Sequence, residues 1–109
     1  MLAKQYRLTK KKDFDLVFSR GGGARCGFLA GKFLKNNLTQ SRFGFVVSKK
    51  VSSKATVRNT IKRRLRKAVG DIMGNTILPT DVVFVALPGI EQWGFLEIRD
   101  GVVIILNKI

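Results

Sequence analysis

The run Asp81-Val-Val-Phe-Val-Ala-Leu87 is β-branched or aromatic at every interior position except Ala86, and Pro79 and Pro88 bracket it. Successive residues of a strand point to opposite sides, so a run that is apolar at both parities has to be buried on both faces. Proline cannot donate to a β-ladder and belongs at the ends of such a run. The segment therefore reads as the middle strand of a sheet, and the rest of the chain must supply its neighbours and its cover.

Residues 28–34 and 42–48 read as further strands, Gly44-Phe-Val-Val-Ser48 most clearly, with the Asn36-Asn37 region as a hairpin-like connection between them. Ahead of them, Lys11 to Phe18 puts Phe14, Val17 and Phe18 on one side of a short helix. Thr9 suits its N-cap, and Arg20-Gly-Gly-Gly23 ends it as a turn, because glycine adopts turn conformations freely.

Lys49 to Lys54 turns into a second helix, capped by Ser53 or Thr56 and expected to stop near Gly74-Asn75. Within it, apolar residues recur at Val57, Ile61, Leu65 and Val69. At about 3.6 residues per turn, these and Ala68 form one stripe. Arg58, Asn59, Lys62, Arg63 and Arg66 occupy an adjacent arc. The final segment carries two signals: Val102 to Leu106 has strand propensity, whereas Phe95, Ile98, Val102, Ile105 and Ile109 repeat at helical spacing. Periodicity slightly favours a helix; Gly101 counts against it, an interior glycine costing about 1 kcal/mol relative to alanine.

The charges are segregated. Every acidic residue lies at or before Asp15 or at or after Asp71, and the fourteen Lys and Arg side chains between those positions account for the net charge of +14. Clustered like charges repel unless a partner neutralises them, and a strongly basic patch on a small domain points first to nucleic acid. An anionic membrane surface would call for a long amphipathic or lipidated segment, and the sequence shows neither. A face shaped only for solvation would intersperse signs, yet no acidic residue lies between 57 and 69.

With 109 residues, 45% of them hydrophobic, the chain can bury one core without disulfides or metals. We expect a single nucleic-acid-binding domain spanning 1–109, with residues 1–8 as a mobile basic N-terminal tail. Cys26 has no partner for an internal disulfide, and the chain contains no histidine, which removes His-based acid/base catalysis and Cys/His zinc sites. Gly21 to Gly23 lacks the Gly-Lys-Ser/Thr ending of a phosphate loop, and the carboxylates are too scattered for a catalytic pair. No apolar stretch has the length of a signal peptide core or a membrane span, so a cytoplasmic protein is expected.

Four pieces of the sequence, taken in order, resemble the family of bacterial ribonuclease P protein components. They are Arg7-Leu-Thr-Lys with Asp13-Phe-Asp-Leu-Val-Phe18, Gly44-Phe-Val-Val-Ser-Lys-Lys50, Arg58-Asn-Thr-Ile-Lys-Arg-Arg-Leu-Arg66, and Asp81-Val-Val-Phe-Val-Ala with a closing segment. The third is the most specific, being close to the family signature Arg-Asn-Arg-Ile-Lys-Arg. The resemblance implies an α+β fold: an α/β sandwich in the order helix, strands, basic helix, strand, helix, with a left-handed βαβ crossover. It makes the final segment a helix.

The resemblance further implies an accessory, non-catalytic subunit of an endoribonuclease whose RNA removes the 5′ leader from precursor tRNA. Mg2+ would act with that RNA, without an organic cofactor, a metal site in the protein or an obligate protein partner. Arg58, Asn59, Lys62, Arg63, Arg66 and Lys67 would bind the RNA subunit, with Arg58 projecting away from the core. Phe14, Phe18, Ser48, Lys49 and Lys50 would bind the leader, although aromatics at helical spacing more often pack in a core. Two positions depart from the family pattern: Thr60 replaces the second arginine of the signature, and Phe28 or Phe33 stands where a cleft tyrosine is usual. A ribosomal or general RNA-binding protein is the alternative. A DNA-binding protein is less well matched, since no second helix is spaced to form a helix-turn-helix.

Overall fold

The computed structural model describes residues 4–72 and 79–109. A 3-10 turn at Lys4–Tyr6 leads into α1 (Lys11–Arg20), then β1 (Gly22–Cys26), β2 (Leu29–Lys35) and β3 (Arg42–Val46). The long helix α2 (Ala55–Ile72), β4 (Thr80–Ala86), a 3-10 turn at Ile90–Gln92 and α3 (Phe95–Leu106) complete the chain. The strands form one mixed sheet in the order β1-β2-β4-β3, with β4 antiparallel to β2 and parallel to β3. The expected stop of the basic helix near Gly74-Asn75 lies outside the described residues.

The doubly apolar strand sits inside the sheet, as its composition requires. Val82, Phe84 and Ala86 point to one side and join a core built with Ile61, Leu65, Val69, Ile98, Val102 and Ile105 from α2 and α3. On that side Phe45 stacks on Phe84 with centroids 6.1 Å apart. Val83 points to the other side, where it packs with Leu8 and with Val17 of α1. One helix thus covers one face of the sheet and two helices cover the other.

The connection from β2 to β3 is not a hairpin, because β4 is inserted between the two strands. Asn36 explains how the chain passes over the end of β4. Its backbone N–H donates to Pro79 O at 3.1 Å, and its side-chain amide donates to Asp81 Oδ1 at 2.8 Å and Gln40 O at 3.3 Å. Arg42 completes this corner: Nε and Nη2 reach the two oxygens of buried Asp81 at 2.9 and 2.7 Å, and Nη1 reaches Asp13 of α1 at 3.4 Å. Hydrogen bonding to Asp81 raises the Arg42 pKa above its ordinary value; burial opposes this, and the charges of Asp81 and Asp13 reinforce it.

Several local expectations are corrected. Gly22 and Gly23, expected in a turn, begin strand β1. Lys10 rather than Thr9 holds the N-cap position of α1, with no side-chain cap bond. Because α2 begins at Ala55, Ser53 and Thr56 flank its cap position, and it is Ser52 Oγ that accepts the Lys54 N–H at 3.2 Å. Within the tail expected over 1–8, Tyr6 packs against the core, Arg7 bridges to Phe43, and Leu8 is buried with its N–H donating to Phe43 O at 2.8 Å, while Lys4 and Gln5 are exposed. An apolar residue can leave water at this sheet edge, which outweighs the freedom of a basic tail.

The final segment is a helix despite Gly101, and the reason is close packing. A Cβ there would lie 3.3 Å from the Trp93 ring and 3.4 Å from Leu29 Cδ2, so glycine lets α3 settle onto β2. Gly21 is more tightly placed, since a Cβ would press on the carbonyl oxygen of Val17 and lie 2.6 Å from Phe33 O. Backbone cannot step aside as a flexible side chain can. Gly21→Ala is expected to cost about 2 kcal/mol of folding stability. Gly23→Ala faces only the Lys32 side chain and backbone at 3.4 Å or more and should stay within about 0.5 kcal/mol. Urea unfolding of the two variants measures the contrast.

Candidate nucleic-acid interface

The inner face of α2 is fixed by its apolar stripe, with Ile61, Leu65, Ala68 and Val69 all buried. That burial turns the basic arc outward. Asn59, Arg63, Arg66 and Lys67 are exposed, and Lys62 is half-buried. Among the described residues the ion pairs are Lys11–Asp15, Arg42–Asp13 and Arg42–Asp81, so no cation of α2 is neutralised by a carboxylate.

The α2 cations are not equivalent. Lys62 and Arg66 make no hydrogen bond or ion pair among the described residues, while the Lys67 ammonium lies 5.3 Å from the centre of the Phe95 ring of α3. Arg64 Nη1 donates to Trp93 O at 3.3 Å, which ties α2 to the entry of α3. Arg58 does not project freely from the core: it is half-buried, and Nη1 donates to Ser52 O at 2.9 Å, bracing the loop before the helix. Thr60 turns back on its own helix, donating to Thr56 O at 2.9 Å and accepting from Arg63 Nη2 at 3.5 Å. A shallow hollow of about 290 Å³ opens there between α2 and Glu91.

A second surface lies on the opposite face of the sheet. The cross-strand register sorts the side chains under α1 into successive rungs. Arg42, Asp81 and Leu34 form one, Gly44, Val83 and Lys32 the next, and Val46, Val85, Ala30 and Arg25 the third. The first two rungs lie beneath α1. Phe14 rests so closely on Gly44 that a Cβ there would come within 2.6 Å of the ring. The third rung is left partly open, and Val85 is the one residue of β4 that is not buried. An apolar floor on a central strand, left uncovered alongside a helix, is a cleft.

Phe18 lies exposed on α1, with 44% of its surface accessible, whereas Phe14 is half-buried in the small core beside Leu8 and Val17. The structure therefore separates two residues that share a helix face. Ser48, Lys49 and Lys50 are exposed in the turn after β3, pinned between buried Val47 and Val51 by Val51 N–H donating to Ser48 O at 3.1 Å. Neither candidate for the cleft aromatic points toward α1. Phe33 packs into the core under α2 and α3, and Phe28 meets Trp93 with centroids 5.6 Å apart. The corresponding face of β2 carries Ala30, Lys32 and Leu34 instead.

Arg25 and Lys32 beside the cleft escaped sequence reasoning. Their facing depends on the pairing of β1 with β2, and the glycines of β1 hid that strand. Among the described residues no three His, Cys, Asp or Glu side chains gather where they could hold a metal ion, and no helix is long and apolar enough to cross a membrane.

These features define a class: a basic α+β sandwich with an unneutralised cationic helix on one side of its sheet and a partly apolar cleft on the other. Comparison with known proteins narrows it. The Ribonuclease P family model matches residues 2–109. The ribonuclease P protein component of Syntrophomonas wolfei is 33% identical over 108 residues, covering 99% of this chain and 90% of the relative. That of Streptococcus pneumoniae serotype 4 is 32% identical over 110 residues, covering 97% and 85%. Among solved structures, the RNase P protein of Thermotoga maritima superposes with a TM-score of 0.86 at 29% identity, covering 94% of this chain and 96% of the other. The Staphylococcus aureus protein gives 0.84 at 26%, covering 94% of each. The chain belongs to the Ribonuclease P protein family. Its role is that of a subunit of ribonuclease P, a ribonucleoprotein nuclease of tRNA processing.

The contrasts in burial can be measured in the isolated protein. Phe14→Ala should cost about 3 kcal/mol of stability, because it empties a packed site, and Phe18→Ala should stay under about 1 kcal/mol. Arg58→Ala should lose about 1 kcal/mol through its bond to Ser52, and Arg66→Ala nothing measurable. Denaturant titration of the four variants distinguishes these cases.

Proposed function

We propose that this chain binds the catalytic RNA of ribonuclease P through the outer face of α2 and holds the 5′ leader of precursor tRNA in the cleft beneath α1. The RNA, acting with Mg2+, performs the cleavage. The observation that carries this reading is the face of α2, whose cations have no carboxylate partner among the described residues while the helix's other side is locked into the core.

Such a face suits folded RNA. Arginine presents a planar fork that can bridge phosphate oxygens in pairs, which lysine cannot do. Phosphate contacts position a partner without reading its sequence, as a subunit serving many precursor tRNAs requires. In the cleft, Phe18 is the aromatic free to stack on an unpaired base, and stacking is worth about 1–3 kcal/mol whatever the base. Val46, Val85 and Ala30 supply an apolar floor, and Ser48, Lys49, Lys50, Lys32 and Arg25 supply polar and cationic groups for the backbone. Phe14 supports the cleft from within the core.

The test is cleavage of a 5′-extended precursor tRNA by a bacterial ribonuclease P RNA at near-physiological Mg2+, with and without this protein. Stimulation that disappears when the RNA is omitted is the expected result. Tight, salt-sensitive RNA binding without stimulation would instead indicate a general RNA-binding protein. Replacing Arg63 and Arg66 together by alanine should flatten the dependence of log affinity for that RNA on log salt by roughly 0.7–0.9 per lost phosphate contact. Thermal stability should not change, and an unchanged slope would remove α2 from the interface.

A further inference from the structure

The Asp13, Arg42 and Asp81 cluster lies under the start of α1, two rungs along the strands from the open Val46–Val85–Ala30 floor, and the reading above gives it no task. Arg42 is held firmly by Asp81 through two short bonds, and Asn36 secures Asp81 from the other side. Its contact with Asp13 differs, being single and longer at 3.4 Å. Asp13 stands in the first turn of α1, immediately before Phe14 and one turn before Val17 and Phe18. The start of α1 has no side-chain cap bond; Leu8, whose N–H donates to Phe43 O, anchors the chain just before the helix, and within the helix that end is tied by Asp13 on Arg42 and Phe14 on Gly44. The far end is seated by Gly21 against the backbone of Phe33.

We propose that Asp13 is a positioning residue for leader binding: through Arg42 it sets the height of α1 over the sheet, and with it the gap between Phe18 and the Val46–Val85–Ala30 rung. This rests on the cleft being the leader site. Arg42 and Asp81 form the fixed post, and Asp13 is the adjustable link to it. A carboxylate in the first helical turn is favourably placed with respect to the helix dipole, so the link also orders the first turn. Because α1 and α2 lie on opposite faces of the sheet, loosening α1 leaves the cationic face of α2 where it is.

The experiment uses the holoenzyme reconstituted with a bacterial ribonuclease P RNA. It measures the ratio of affinities for precursor tRNA with its leader and for the same tRNA without one. Asp13→Ala should lower that ratio roughly five- to tenfold, while affinity for the ribonuclease P RNA stays unchanged. Asp13→Asn, which keeps an oxygen for Arg42 to meet, should recover part of the loss. Combining Asp13→Ala with Phe18→Ala should cost less than the product of the two single losses, since both act through one contact.

A ratio unchanged in Asp13→Ala would overturn the proposal alone and leave the cleft reading intact. Full additivity with Phe18→Ala would do the same, as would parallel losses of leader preference and ribonuclease P RNA binding, which would make Asp13 a general stability residue. If the unaltered protein shows no leader preference, the cleft reading itself fails and the proposal fails with it.

Discussion

The burial of β4 on both faces is the constraint from which the rest follows. A strand with Val82, Phe84 and Ala86 on one side and Val83 and Val85 on the other gains little unless water is excluded from both of its sides. The chain meets this demand by placing β4 between β2 and β3, by spreading α2 and α3 over Phe84, and by laying α1 and Leu8 over Val83. Both candidate surfaces are by-products of that cover. The cationic face is the outside of one covering helix, and the cleft is the part of the other face that lies beside α1 and stays partly uncovered.

The charge distribution has a similar logic. Most of the few carboxylates are engaged within the fold: Asp13 and Asp81 hold Arg42, Glu91 accepts the Gly89 N–H, and Glu97 accepts the Gly94 N–H at the start of α3. They stabilise corners and helix ends and leave the cations of α2 unshielded. The net charge of +14 therefore appears at the surface nearly undiluted. Such a surface repels itself in isolation, and any polyanion that neutralised it would stabilise the folded protein.

Much of this was legible in the sequence, for identifiable reasons. The central strand and the basic helix each carry a pattern that only one kind of burial satisfies, and the structure contains both; the final segment carries strand and helix signals together, and there it was the family resemblance that pointed to the helix found. The pairing order was harder to read. Nothing local in residues 36–41 shows that a strand from far along the chain will slip between β2 and β3; that depends on Asn36 and Arg42 both meeting Asp81. Strand β1 was hidden because glycines signal turns more strongly than strands. At the site, the family resemblance singled out Phe14 and Phe18 together, but only the close approach to Gly44 shows that one of them is committed to the core. Phe28 and Phe33 could not be placed without the register, and the attachment of Arg58 to Ser52 is a tertiary detail that periodicity does not encode.

The insertion of β4 also dictates an order of events as the chain is made. Arg42 and Asp81 are 39 residues apart, and the whole of α2 emerges between them. Until β4 follows, β2 and β3 have no strand to join them, and the apolar stripe of α2 has no central strand to rest on. A ribosome-bound chain therefore displays its full set of helical cations before it has a sheet to carry them. Any polyanion nearby during synthesis meets the adhesive part of the molecule first and the folded part second.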